Sequence, residues 1–146
     1  MKLRTKKSGF TLIEILIVTV IIGILATLGI VAYTNSLRNA RNAKRVGDLN
    51  SIAAAWEQQY TTNAGTYPAN CTTVPTTLQG GMPRDPDSGT LYSSLTSTAG
   101  SASCATDSFC FCVALENSTQ GNSTTRLCTG IASSGSRGFY CVQNKQ

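Results

Sequence analysis

Between Phe10 and Tyr33 the chain reads FTLIEILIVTVIIGILATLGIVAY, 24 residues with one charge, Glu14. No other feature restricts the fold as strongly. The run is rich in β-branched residues, which suit strands on propensity. Length decides against a strand, because 24 residues lie far beyond ordinary strand lengths. As an α-helix the run would measure about 36 Å at ~1.5 Å per residue. A bilayer core is ~30 Å thick, so such a helix can span it with some tilt.

Charge is confined in a similar way. The 146-residue chain has twelve Lys and Arg, seven Asp and Glu, and a net charge of +5. Lys2, Arg4, Lys6 and Lys7 lie ahead of the apolar run, and the chain beyond Gly9 is close to neutral. The basic balance therefore belongs to a short head and does not describe a nucleic-acid-binding domain. There is no histidine. Ser-His-Asp, Cys-His and His-zinc chemistry are thereby excluded. No paired acids with recognisable spacing and no phosphate loop are present, so an anchored enzyme is disfavoured.

A cleaved secretory signal would need a shorter apolar run and a small-residue cleavage site. A lipoprotein signal would need a nearby cysteine, but the first is Cys71. A plain anchor leaves unexplained the carboxylate five residues into the run. The stretch Lys7-Ser8-Gly9-Phe10-Thr11-Leu12-Ile13-Glu14 resembles the signal of type IV prepilins and of type II secretion pseudopilins. The likeness continues through Ile15 to Val18, Ile21 to Ala26 and Ala32-Tyr33. It implies a leader over 1–9, cleavage between Gly9 and Phe10 by a prepilin peptidase, N-methylation of Phe10, and Glu14 as the assembly glutamate. Many family members have a proline two residues before the closing tyrosine. Here Val31 occupies that position, so the helix lacks a kinking residue. Gly23 and Gly29 are weaker soft points.

Elementary electrostatics agrees with that role for Glu14. A carboxylate at the centre of a bilayer costs ~2.5–3.5 kcal/mol, and less near the edge. Cleavage would create an amine at Phe10, cationic near neutrality. Glu14 could meet its own amine or that of a neighbour, and buried charges persist only when paired. The simpler alternative is a glutamate snorkelling at the membrane edge and stabilised by the helix dipole.

Past Tyr33 the apolar positions Leu37, Ala40, Ala43, Val46, Leu49, Ile52, Ala53, Trp56 and Tyr60 recur every three or four residues. This spacing predicts an amphipathic helix. The predicted order is a membrane or filament-core helix over 10–33, an amphipathic continuation over 34–61 that ends near Asn63-Ala64-Gly65, and an extracytoplasmic domain over 62–146. In that domain Leu91 to Leu95, Phe109 to Glu116, Thr125 to Ala132 and Gly138 to Gln143 read as short strands. Asn117 to Thr124 and Ser133 to Ser136 read as loops. The fold class is α+β: a long helix packed on a small antiparallel sheet.

A second, local resemblance lies in Gly65-Thr66-Tyr67-Pro68 and in Met82 to Tyr92, similar to the G-x-Y-P and P-x-D-P-x-G-x-x-Y patterns of major pseudopilins and some pilins. Ser88 looks like an insertion, and Asp87 stands where tryptophan is common. Some pseudopilins bind calcium. Here Asp85, Asp87, Asp107 and Glu116 look too scattered for a cage of six to eight oxygens, so no metal or other cofactor is expected.

Cys71, Cys104, Cys110, Cys112, Cys128 and Cys141 all follow the apolar run. Six cysteines in a small domain read as a disulfide framework from an oxidising compartment. Zinc is disfavoured, with neither Cys-x-x-Cys nor histidine present. Cys110 and Cys112 share a strand face, which favours separate partners. The resemblance makes Cys128 with Cys141 the expected pair, bridging the last two strands as is common in pilins.

Arg38, Arg41, Lys44 and Arg45 form a basic cluster, and Arg38, Arg41 and Arg45 share a helical face. Nucleic acid is one candidate partner. Lipid headgroups, solvent or acids of a neighbouring subunit are preferred. The sequons at Asn70, Asn117 and Asn122 arise easily in so Ser/Thr/Asn-rich a chain, and are read as unmodified.

The resemblance implies a structural, non-enzymatic role as a subunit of a type IV pilus or pilus-like fimbrium. The implied homo-oligomer is a helical filament built through N-terminal helices. It would start in the cytoplasmic membrane, single-pass with the C-terminus outside, and end as an extracellular filament. The peptidase and the pilus assembly platform with its ATPase would be partners. The alternative is a major-type pseudopilin of a type II secretion or competence machine.

Overall fold

The computed structural model describes residues 9–73, 75, 78, 80–94, 100–128 and 138–144. Its elements are one helix, α1 (Leu12–Thr62), a 3-10 turn (Tyr92–Ser94) and three strands: β1 (Gly100–Cys104), β2 (Phe109–Ala114) and β3 (Phe139–Gln143). The described residues fall into two compact units, one up to Leu37 and one from Arg38 onward.

In the first unit every described side chain is exposed. The helix there is apolar all round, with a window of 18 residues at mean hydropathy 2.9. Apolar surface of this length and composition matches a bilayer or a packed bundle of like helices. Helix α1 ends at Asn63-Ala64-Gly65. Gly65 has φ +76° and Ala64 has φ +51°, and Gly65 N–H donates to the Tyr60 carbonyl. The left-handed turn absorbs carbonyls that the helix leaves without partners.

In the second unit, α1 packs on the sheet, whose order is β1-β2-β3 with both pairs antiparallel. The core contains Leu49, Ile52, Trp56, Tyr67, Tyr92, Phe109, Phe111 and Val113. Trp56 meets Phe109 and Phe111 with ring centroids 5.6 and 5.4 Å apart. From Leu49 to Trp56 the buried face is the one the spacing predicts. Earlier in the helix the buried positions are Asn42 and Arg45, whereas Ala40 and Ala43 are exposed. Counting apolar residues missed this shift because a salt bridge draws the polar stripe inward.

Strand β2 alternates Phe-Cys-Phe-Cys-Val. Phe109, Phe111 and Val113 face the helix, so the period of two sends Cys110 and Cys112 to the opposite face. Disulfides connect Cys71–Cys104, Cys110–Cys128 and Cys112–Cys141. The expected Cys128–Cys141 pair is therefore corrected. Cys141 lies directly opposite Cys112 across β2 and β3, with Cα atoms 4.1 Å apart. Cys128 reaches the neighbouring sulfur position at Cys110 from outside the sheet.

Other expectations also change. Residues 92–94 of the anticipated Leu91–Leu95 strand form the 3-10 turn, and Leu91 makes only an isolated bridge to Arg84. Thr125 to Cys128 are bends; the rest of that anticipated strand, and the Ser133–Ser136 loop, lie outside the described residues. Strand β1, of sequence GSASC, was not anticipated, because its small polar residues carry no hydrophobic alternation.

The outer edge of β3 is covered by residues 122 and 123: Ser123 bridges Phe139 through the backbone, and the Asn122 side chain serves Cys141. Asn122 Oδ1 accepts from Cys141 N–H at 2.7 Å, and Asn122 Nδ2 donates to the Cys141 carbonyl at 2.8 Å. The amide thus imitates a neighbouring strand at an edge that would otherwise be open to pairing.

Candidate processing and assembly site

Gly9 and Phe10 precede the helix, and Phe10 is 80% exposed. The peptide bond between them lies in non-helical backbone, the conformation a protease can thread. The basic residues 2–7 lie outside the described residues. Thr11 is the residue before α1, and Glu14 is the third residue of the helix. The Thr11 N–H and hydroxyl both donate to Glu14 Oε2 at 3.4 Å. Thr-x-x-Glu at a helix start is a capping box, in which the glutamate reaches back to the N-cap N–H. The helix dipole also favours a carboxylate there. Glu14 forms no ion pair with any other described residue. In a single chain its carboxylate is held at the start of the helix and otherwise open, next to the bond whose cleavage would create an amine.

The basic cluster is divided by the fold. Arg45 donates from Nε to Asp85 Oδ2 at 2.6 Å and from Nη2 to Asp85 Oδ1 at 3.2 Å. Its Nη1 donates to Glu116 Oε1 at 3.1 Å. Arg41 holds Glu116 through Nε at 2.6 Å, and Lys44 lies 3.4 Å from Asp48. Asn42 Oδ1 accepts from Glu116 N–H at 3.0 Å. Acids of the same chain thus engage three of the four basic residues.

These contacts tie α1 to the Pro83–Tyr92 loop and to the end of β2. Asp85 also accepts from the N–H groups of Asp87 and Ser88, at 3.0 and 2.9 Å. Burial alone would raise its pKa. The Arg45 hydrogen bond and the two backbone donors outweigh burial and lower it from 3.8 to about 2. Hydrogen bonding by Arg41 likewise holds Glu116 below the usual carboxylate range. Tyr92, whose hydroxyl donates to Asp48 Oδ2 at 3.2 Å, has its pKa raised, by burial first. The P-x-D-P pattern therefore supplies a buried counter-ion for the helix. The sequence signal for it is Asp85 standing between Pro83 and Pro86.

Residues 4–30 match the family model described as the prokaryotic N-terminal methylation motif. Over 66 residues the chain is 41% identical to the type II secretion system core protein G of Pseudomonas aeruginosa. That stretch covers 45% of this chain, and the chain spans less than half, 46%, of that relative. No solved structure matches the chain. The chain carries the prepilin-type methylation motif on a long apolar helix, followed by a small disulfide-bonded antiparallel sheet.

Proposed function

We propose that this chain is the structural subunit of a type IV pilus or pilus-like filament. The observation that carries the reading is the position of Glu14, capped at the start of the exposed apolar first part of α1 and inside the matched motif. In this reading a prepilin peptidase removes 1–9, cutting between Gly9 and Phe10, and Phe10 is N-methylated. Residues 10–33 anchor the subunit in the cytoplasmic membrane and then form the filament core. Residues 34–61 continue the helix, and 62–146 form the outer surface. The assembly platform and its ATPase extract the subunit, and Glu14 accepts the Phe10 amine of a neighbour. An exposed apolar surface of this size needs a cover, and like helices provide one once the membrane is left behind.

The likeness to core protein G supports a second reading, a major-type pseudopilin of a secretion or competence machine. Gly9→Ala should abolish processing, and mass spectrometry should then find the leader on the accumulated protein. Surface filaments made of subunits that keep residues 1–9 would overturn the cleavage reading, and absence of the chain from any sheared filament would overturn the filament-subunit reading. Electron microscopy of sheared surface material, with an antibody to 62–146, separates long pili from a short periplasmic assembly.

A further inference from the structure

The two disulfides behind the sheet interlace. Cys110 and Cys112 precede Cys128 and Cys141 in the chain, yet Cys110 bonds Cys128 and Cys112 bonds Cys141. Pairing of chain neighbours would give Cys110–Cys112 and Cys128–Cys141. Cys71–Cys104, by contrast, joins the first two cysteines to emerge.

Loop closure favours Cys128–Cys141, and once that bond and Cys71–Cys104 have formed, Cys110 and Cys112 are left only with each other. The loop between Cys128 and Cys141 is less than half as long as the native 29-residue separation of Cys112 and Cys141. Closure scales so that this ratio is worth about threefold in probability. Cys112 becomes a preferred partner for Cys141 only after β2 and β3 have formed, because sheet register places them opposite.

In the folded chain the sulfurs are close enough to exchange. Cys112 Sγ lies 3.8 Å from Cys110 Sγ and 4.0 Å from Cys128 Sγ. Access to the two bonds is unequal. Cys112 and Cys141 are 1% and 2% exposed, whereas Cys110 and Cys128 are half-buried. A surface cavity of about 300 Å³, lined by Ser103, Ser108, Leu127 and Gln143, opens on Cys110 and Cys128.

We infer that the interlaced pair is reached by thiol–disulfide exchange rather than by direct oxidation, and that a thiol–disulfide isomerase is a maturation partner acting through Cys128 and Cys110. An external thiolate attacks Cys128 Sγ of the neighbour-paired form, making a mixed disulfide and releasing Cys141 thiolate. Cys141 attacks Cys112 Sγ, forming Cys112–Cys141 and releasing Cys110 thiolate. Cys110 then attacks Cys128 Sγ, forming Cys110–Cys128 and returning the external thiolate. Each step makes one S–S bond and breaks one, with no net oxidation. Thiolate attack on a disulfide sulfur is the general route for such exchange. This inference is independent of the filament reading.

The test is oxidation of the reduced full-length chain, diluted from denaturant into detergent with diamide, a non-thiol oxidant. Bonds are mapped by mass after proteolysis. Cys128–Cys141 peptides should dominate at first. Millimolar reduced glutathione should then raise the rate of appearance of Cys110–Cys128 and Cys112–Cys141 at least tenfold. The double variant Cys110→Ser with Cys128→Ser should form Cys112–Cys141 with no thiol dependence, and its bond map is read whether or not it folds. Native pairs arising equally fast without thiol, or no Cys128–Cys141 species at any time, would overturn the inference.

Discussion

Arg45 Nε donates to Asp85 Oδ2 across 2.6 Å, and the two residues are only 5% and 6% exposed. A charge on the helix and a charge on the loop are thus removed from water together. The cost of desolvation is offset because the fork is bidentate and every Asp85 oxygen has a donor. Removing one partner leaves the other buried and uncompensated. Arg45→Met should destabilise the second unit by about 3–5 kcal/mol. Arg45→Met combined with Asp85→Leu should recover part of that loss. Denaturant unfolding followed by fluorescence of Trp56, the single tryptophan and a core residue, measures both.

The same pair sets an acid limit. The folded pKa of Asp85 is depressed from 3.8 to about 2. Its contribution to stability is therefore complete above the unfolded value and lost as pH falls through the folded one. At ~1.36 kcal/mol per pH unit this is roughly 2 kcal/mol, disappearing between about pH 4 and pH 2. Stability should fall over that interval in the wild type. The slope should be shallower in Asp85→Asn, which has no proton to gain.

Glu14 separates a helix cap from an assembly contact. Loss of a cap costs typically ~1 kcal/mol. Loss of one side of a buried charge pair costs ~3–5 kcal/mol, roughly two to four decades in association. If Glu14 accepts a neighbour's amine, Glu14→Gln should be processed at Gly9 yet accumulate in the membrane without filaments. Thr11→Ala, which removes the hydroxyl donor but keeps the carboxylate, should still assemble. Equal defects in the two variants, scored by sheared-filament yield, would reduce Glu14 to a cap. Normal filaments from Glu14→Gln would remove it from assembly altogether.

Asn122→Ala should uncover Cys141 N–H and its carbonyl on the edge of β3. Two hydrogen bonds at ~1 kcal/mol each set the scale of the loss. Hydrogen exchange at Cys141 should accelerate at least tenfold, with little change at Phe111. Unchanged protection at Cys141 would show that the Asn122 amide does not guard this edge.

A glycan on Asn122 is incompatible with the folded second unit, because both polar atoms of its side chain face the Cys141 backbone. Mass analysis of purified protein should find Asn122 unmodified. A modified Asn122 would mean that attachment precedes folding of β3.

Local sequence determined the elements whose physics is local. Twenty-four residues with a single charge can satisfy their backbone in an apolar medium only as a helix, and Thr11 with Glu14 marks where that helix begins. The stripe from Leu49 to Trp56 was legible because apolar burial follows the 3.6-residue period. The tertiary structure decided what depends on distant partners. Arg45 turns inward only because Asp85, forty residues later, meets it, so a residue that reads as solvated becomes part of the core. Strand β1 has no hydrophobic pattern of its own and exists through its pairing with β2. The bonds of Cys128 and Cys141 follow from strand register. Proximity along the chain favours joining them to each other, whereas the sheet sets Cys141 opposite Cys112 and leaves Cys128 to Cys110, because in the folded state distance through space, not distance along the chain, determines which sulfurs meet.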